Sequence, residues 1–133
     1  EGNRPYYQEV LRAGPWLLQP DRYSMFPPEE WSEGYVFETV GEKYVLADDT
    51  RRVELYKVEG LGHALGMLIA YLPKEKIVVQ ADMYSPAVTT PNPSSRTFYE
   101  NLKRLKLDVT TIVGLHGNPG PMSGLVQSMG AAK

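Results

Sequence analysis

Three residues with metal-binding side chains each lie at the end of an apolar run. His63 precedes "GMLIAYL", Asp82 follows "KIVVQA", and His116 follows "TTIVGL". In a layered α/β fold, ligand groups collect at strand ends, because the sheet fixes them while the loops leave them accessible. Two neutral imidazoles and a carboxylate suit zinc or iron. The spacing alone is suggestive of a metal site, but a histidine or an aspartate at a strand end is more often a hydrogen-bonded turn residue or a cap on backbone N–H groups.

Other kinds of catalytic chemistry have less support in the sequence. The glycine-rich run "GLGHALG" precedes a predicted strand instead of opening a helix after one, which is the wrong context for a phosphate-binding loop. The absence of cysteine excludes thiolate nucleophiles and disulfides. There is no G-x-S-x-G motif for a serine nucleophile. Tyr84 and Asn118 follow predicted strands and are candidates for lining a substrate pocket, or else surface and capping residues.

Alternating helical and strand patterns predict the elements that position these residues. The pattern indicates an α/β fold in one domain, 1–133, with helices packed on a sheet. The apolar runs on either side of the charged turn "PKEK" are typical of central strands covered on both faces. Residues 15–34, rich in proline and aromatics, are predicted to form an extended loop. The predicted helices are "NRPYYQEVLRA", "NPSSRTFYENLKRLKL" and "MSGLVQSMG", and the predicted strands are "YVFETV", "KYVLA", "RRVELYKV", "GMLIAYL", "KIVVQA" and "VTTIVGLHG".

Composition narrows the possible partners. The 133 residues carry a net charge of −2 with no tract dense in lysine and arginine, so nucleic-acid binding has little electrostatic support. No apolar run approaches the roughly 20 residues that span a membrane. The first residues, "EGNRPYYQEV", lack the basic and apolar regions of a signal peptide. The compartment stays open, with cytoplasm and periplasm both possible.

The run "ELYKVEGLGHALGMLIAYLPKEKIVVQADMYSP", followed by "LHGNPGP", resembles the second half of the metallo-β-lactamase fold hydrolases, and within them the bacterial β-lactamase domain proteins. The segments "PDR" at 20–22 and "NLKRLKLDVTTIVGLHG" extend the resemblance over nearly the whole chain. The resemblance implies the C-terminal half of an αββα sandwich, with a mostly antiparallel or mixed sheet and two to three helices.

The resemblance also implies a role for each strand-end residue. In that family two metal ions, usually zinc, activate a water molecule that attacks the substrate. His63 matches a ligand of the first ion, Asp82 the carboxylate that bridges both ions, and His116 a ligand of the second. The family's H-x-H-x-D-H motif, which supplies most other ligands, does not occur in this chain. Each ion would have about two protein ligands here, whereas a catalytic zinc site takes about three.

We therefore expect half of a dinuclear site, with zinc bound weakly or not at all and no catalytic activity in this chain alone. The leading hypothesis is the C-terminal part of a zinc-dependent hydrolase that cleaves an ester, an amide or lactam, or a related bond in a small molecule. The alternative is a non-enzymatic binding or oligomerisation domain that retains the fold. Half of a sandwich leaves an apolar face and a sheet edge to cover, so we expect self-association or docking with the missing N-terminal half. Self-association could also assemble a metal site from two copies of His63, Asp82 and His116.

Overall fold

A computed structural model describes residues 3–13, 38–62, 64–88, 90 and 92–130. These residues fall into two compact units, Glu1–Thr39 and Val40–Lys133, which are described separately. The assignment of one domain to 1–133 stays a prediction. Within the described residues, no helix is long and apolar enough to cross a membrane.

The described part of the first unit is mainly helix α1, Arg4–Ala13. This confirms the helix predicted from "NRPYYQEVLRA". Tyr6 and Tyr7 are both exposed, and their rings meet edge to face with centroids 5.4 Å apart. The loop predicted over 15–34 lies outside the described residues. Of the predicted strand "YVFETV", residues 35–37 are outside them too, and residues 38–40 form no strand.

The second unit is a six-stranded mixed sheet with two helices. Together with α1 of the first unit, the described residues contain three helices. The fold class is α/β, as predicted. The strands lie in the order in which they occur along the chain. All neighbouring strands are antiparallel except β4 and β5, which are parallel and are joined by α2. The elements are β1 (Lys43–Ala47), β2 (Arg52–Lys57), β3 (Leu68–Leu72), β4 (Ile77–Gln80), α2 (Pro93–Arg104), β5 (Thr111–Gly114), β6 (Gly120–Pro121) and α3 (Met122–Ser128).

The core lies between one face of the sheet and the helices. Ile69, Val78 and Ile112 are buried on that face, together with Phe98 and other helix residues. Helix α2 forms because its apolar residues recur three to four positions apart, and it begins at Asn92, whose side chain accepts a hydrogen bond from the Ser95 N–H at 2.8 Å. Basic residues end the helix and complement its dipole.

The opposite face of the sheet is apolar but only half-buried. Successive strand residues point to opposite faces, so the residues that alternate with the core residues form one surface. This second sheet face consists of Val53, Leu55, Leu68, Ala70, Leu72, Ile77, Val79 and Val113. The central position predicted for β3 and β4 is confirmed, but they are fully buried on one face only.

Candidate metal centre

Asp82 and His116 come together because β4 and β5 are parallel. The carboxyl ends of parallel strands meet at one edge of a sheet. Gln80, the last residue of β4, pairs in register with Gly114, the last residue of β5. Asp82 and His116 each lie two residues beyond this pair. Their side chains meet, with Asp82 Oδ1 3.5 Å from His116 Nε2.

This separation is longer than a direct hydrogen bond, and it is compatible with an ion pair when His116 is protonated or with two ligands of one ion. An N–H···O hydrogen bond is usually about 2.7–3.2 Å long between heavy atoms. Two ligand atoms bound to the same tetrahedral zinc lie roughly 3.3 Å apart, given bond lengths of about 2.0–2.1 Å. The Asp82 side chain is 46% exposed and that of His116 is 83% exposed, so both are accessible to a ligand. A carboxylate and an imidazole are also donors that zinc accepts. The pair therefore fits part of a zinc site.

The backbone at Asp82 has an unusual conformation. Its φ is 59°, in the left-handed region, which costs a residue with a Cβ roughly 1–2 kcal/mol, although aspartate tolerates it better than most. Such strain persists only where the surroundings hold it. Here the Gln80 side chain bonds to the backbone of Met83 and Tyr84, the two residues that follow Asp82. Ser95, in the first turn of α2, adds a hydrogen bond from its hydroxyl to the Met83 carbonyl at 3.0 Å.

The chain carrying His116 turns sharply after β5, and Gly114 permits this turn. A Cβ at position 114 would lie 2.8 Å from the His116 carbonyl oxygen and 3.2 Å from Gln80 Nε2. Gly117 follows with φ of 84°, which glycine adopts at little cost. The glycines in "GLHG" thus let the backbone fold back and present His116 at the strand end.

The other sequence-predicted site residues have different surroundings. His63 lies outside the described residues, between the described positions 62 and 64. Tyr84 is buried in the core, and burial raises the pKa of its hydroxyl. A Cβ at Gly124 would lie 2.8 Å from that hydroxyl oxygen. Asn118 is exposed. The structure thus brings Asp82 and His116 together, while the metal roles of all three ligand residues and the pocket roles of Tyr84 and Asn118 stay predictions.

The described residues hold no larger ligand cluster. No group of three or more histidine, aspartate or glutamate side chains in the described ranges is placed to hold a metal ion. His63, the third predicted ligand, lies outside these ranges.

A second polar cluster, centred on Glu54 in β2, was missed by the sequence reasoning. The Glu54 carboxylate is buried and accepts hydrogen bonds from Tyr56 Oη at 2.5 Å and Arg52 Nε at 2.7 Å. Lys43 Nζ, from β1, lies 2.9 Å from the same carboxylate. Burial raises the pKa of Glu54, but the hydrogen bonds from Tyr56, Lys43 and Arg52 outweigh it and lower the pKa to about 2. The spacing "R-x-E-x-Y" at 52–56 places three of these side chains on one face of a strand and could have revealed the cluster.

Comparison with solved structures assigns the fold: the chain forms part of the metallo-β-lactamase fold. A metallo-β-lactamase from Pontibacter korlensis is 21% identical and superposes with a TM-score of 0.55, over 77% of this chain and 51% of that protein. VMB-1 is 19% identical, with a TM-score of 0.50 over 72% of this chain and 48% of its own. The flavodiiron protein from Giardia intestinalis is 16% identical, with a TM-score of 0.51 over 68% of this chain and 28% of its own.

This chain therefore spans about half the length of the first two structures. No family model and no curated protein matches the sequence. At these identities the likeness concerns the fold, and it confirms the predicted resemblance to part of a metallo-β-lactamase sandwich.

Proposed function

We propose that this chain is the C-terminal part of a metal-dependent hydrolase and contributes half of a dinuclear zinc site. The observation that carries the proposal is the approach of Asp82 Oδ1 to within 3.5 Å of His116 Nε2 at the carboxyl ends of the parallel strands β4 and β5. The partial metallo-β-lactamase fold supports the same proposal, because the Pontibacter neighbour is named a metallo-β-lactamase.

Each residue would have a distinct role. Asp82 would help to hold both ions, His116 would bind one of them, and His63 would bind the other. Zinc, when bound, supplies Lewis acidity and makes water nucleophilic near neutral pH. The chain's own contribution is to hold the carboxylate and the imidazole at the sheet edge, where both side chains are accessible to a small-molecule ester, amide or lactam.

The remaining ligands would come from outside this chain. With His63, Asp82 and His116 shared between two ions, each ion has about two protein ligands, fewer than the three of a catalytic zinc site. The half-buried second sheet face supports a docking role as well, since half of a sandwich must pack its apolar face against another layer. We propose that the missing N-terminal half, or a second copy of the chain, packs on this face.

A zinc titration of the purified chain tests the metal role. We expect weak binding that is lost in Asp82→Asn and in His116→Ala. Asp108→Asn is the matched control, because Asp108 is an exposed aspartate paired with Lys76 at 2.7 Å. Asp108→Asn should bind zinc as the wild type does. Equal zinc affinity in the wild type and His116→Ala would overturn the proposed role of His116.

The same titration separates the remaining hypotheses. Tight, stoichiometric zinc that disappears in His116→Ala, together with a dimer by light scattering, would favour a site assembled from two copies. A longer natural protein carrying H-x-H-x-D-H upstream of residue 1 would support the hydrolase, and that protein should hold two zinc ions and hydrolyse small-molecule esters or lactams. A longer protein without that motif would support the non-enzymatic binding or oligomerisation domain.

A further inference from the structure

The buried amide side chain of Gln80 connects the two strand ends that carry Asp82 and His116. Gln80 is the last residue of β4 and is 2% exposed. Its Oε1 accepts hydrogen bonds from the Met83 N–H at 2.9 Å and the Tyr84 N–H at 3.2 Å, and its Nε2 donates to the Tyr84 carbonyl at 2.7 Å. Both the oxygen and the nitrogen of the Gln80 amide therefore form hydrogen bonds with the turn that contains Asp82.

The backbone of Gln80 is bonded to the other strand end. The Leu115 N–H, directly before His116, donates to the Gln80 carbonyl oxygen at 3.1 Å. Gly114 lies opposite Gln80 in the sheet, and a Cβ there would come within 3.2 Å of Gln80 Nε2. The absence of a side chain at position 114 thus leaves the space that the Gln80 amide occupies.

The Gln80 hydrogen bonds lie on the two residues that follow Asp82, whose backbone is in the left-handed conformation. Two of the three hydrogen bonds made by the Gln80 side chain hold N–H groups, and the third holds a carbonyl, all within the two residues after Asp82. Residue 82 lies between the end of β4 and these bonded positions, and its φ is 59°. A glutamine at this position matches the turn because it supplies both an acceptor and a donor.

We propose that Gln80 is a positioning residue that holds Asp82 in its left-handed conformation beside His116. The metal aspect of this inference rests on the proposed role of Asp82 as a zinc ligand. The geometric aspect does not, because it concerns the turn in the metal-free protein. Residues that orient a ligand through hydrogen bonds commonly change metal affinity by about 10–100-fold when they are substituted.

Amide proton exchange and backbone chemical shifts of the metal-free protein test the geometric aspect. In Gln80→Met, which is similar in size but cannot make the three bonds, we expect faster exchange at Met83 and Tyr84 and a change in the Asp82 shifts that report its φ. The matched control is Asn101→Leu. Asn101 is another buried amide, bonded to the Glu59 N–H and to the carbonyls of Glu59 and Thr97. The control should leave the Met83 and Tyr84 exchange and the Asp82 shifts unchanged.

A zinc double-mutant cycle tests the metal aspect. Gln80→Met should weaken zinc binding about 10-fold in the wild-type background and less than about twofold in the Asp82→Asn background, because it acts through Asp82. Gln80→Glu keeps the acceptor for Met83 and loses the donor to Tyr84, so an intermediate zinc affinity is expected. Unchanged exchange at Met83 and Tyr84 in Gln80→Met would overturn the inference, as would an equal loss of affinity in both backgrounds.

The outcomes distinguish this inference from the proposed function. If the wild type binds no zinc, Asp82 has no metal role in this chain alone, and the exchange and shift data alone decide whether Gln80 positions the turn. If Gln80→Met does not fold, Gln80→Glu replaces it, because it removes only the donor to the Tyr84 carbonyl. Gln80→Glu should then change the Asp82 shifts, and unchanged shifts would overturn the inference.

Discussion

Two carboxylates of this protein, Glu54 and Asp82, both lie next to basic side chains, but they differ in burial and in the number of close hydrogen-bond donors. Glu54 is buried, and Tyr56, Arg52 and Lys43 all lie within 2.9 Å of its oxygens. Asp82 is about half exposed on a left-handed backbone, with His116 at 3.5 Å. A carboxylate whose lone pairs are taken by donors stabilises a fold, whereas one held accessible beside an imidazole is suited to accept a ligand.

The largest effect on stability is expected from Glu54. Glu54→Ala leaves the Tyr56 hydroxyl without its acceptor. It also leaves the positive charges of Lys43 and Arg52 without the carboxylate that both of them contact. We expect the free energy of unfolding to fall by about 2 kcal/mol, because the buried Tyr56 hydroxyl loses its acceptor, whereas Lys43 and Arg52 are 40% and 52% exposed and stay partly solvated. Urea unfolding of the wild type and the variant gives this difference. Asp82→Asn, the matched substitution at the other carboxylate, should change it by less than about 0.5 kcal/mol. Equal losses of unfolding free energy in the two variants would show that the two carboxylates contribute equally to stability.

The pH dependence of stability should follow Glu54. Its pKa in the folded protein is about 2, below the ordinary value of 4.5 for a glutamate, so the folded state favours the ionised form. The resulting stability is present above pH 4.5 and is lost as the pH falls towards 2, up to about 3 kcal/mol. Urea unfolding at a series of pH values measures it. In Glu54→Gln this acid-dependent loss should be greatly reduced, and an unchanged pH profile would show that other groups cause it.

These two regions also differ in how far sequence could predict them. The apolar runs and their polar ends predicted β3, β4, β5 and α2, and with them the placement of Asp82 and His116 at strand ends. The contact between Asp82 and His116 follows from the parallel pairing of β4 with β5. In the sequence, the only indication of this pairing was the predicted helix between the two strands. The Glu54 cluster depends on the register that places Lys43 opposite Tyr56, and this register is set by the β1–β2 turn.

Two features had no usable sequence signal. The strand β6 is two residues long, too short for a recognisable pattern. The role of Gln80 depends on the left-handed conformation of Asp82 and on the space above Gly114, both of which arise from tertiary packing.

A smaller effect is expected from relieving the backbone strain at Asp82. Asp82→Gly removes the Cβ that disfavours a φ of 59°, so the free energy of unfolding should stay the same or rise by about 0.5–1 kcal/mol. Lys106→Gly is the control, because Lys106 also has a left-handed φ, 54°, and lies outside the candidate metal centre. Chemical denaturation of both variants measures the change. A loss of more than 1 kcal/mol in Asp82→Gly alone would show that the Asp82 side chain stabilises the fold.

The central claim is that Asp82 and His116 bind the same metal ion, and a zinc titration followed by the imidazole ¹⁵N shifts of His116 tests it most directly. We predict that zinc shifts one ring nitrogen of His116 in the wild type and that the shift is much weaker in Asp82→Asn at the same zinc concentration. An absence of any zinc-dependent shift at His116, or an identical shift in Asp82→Asn, would contradict the claim.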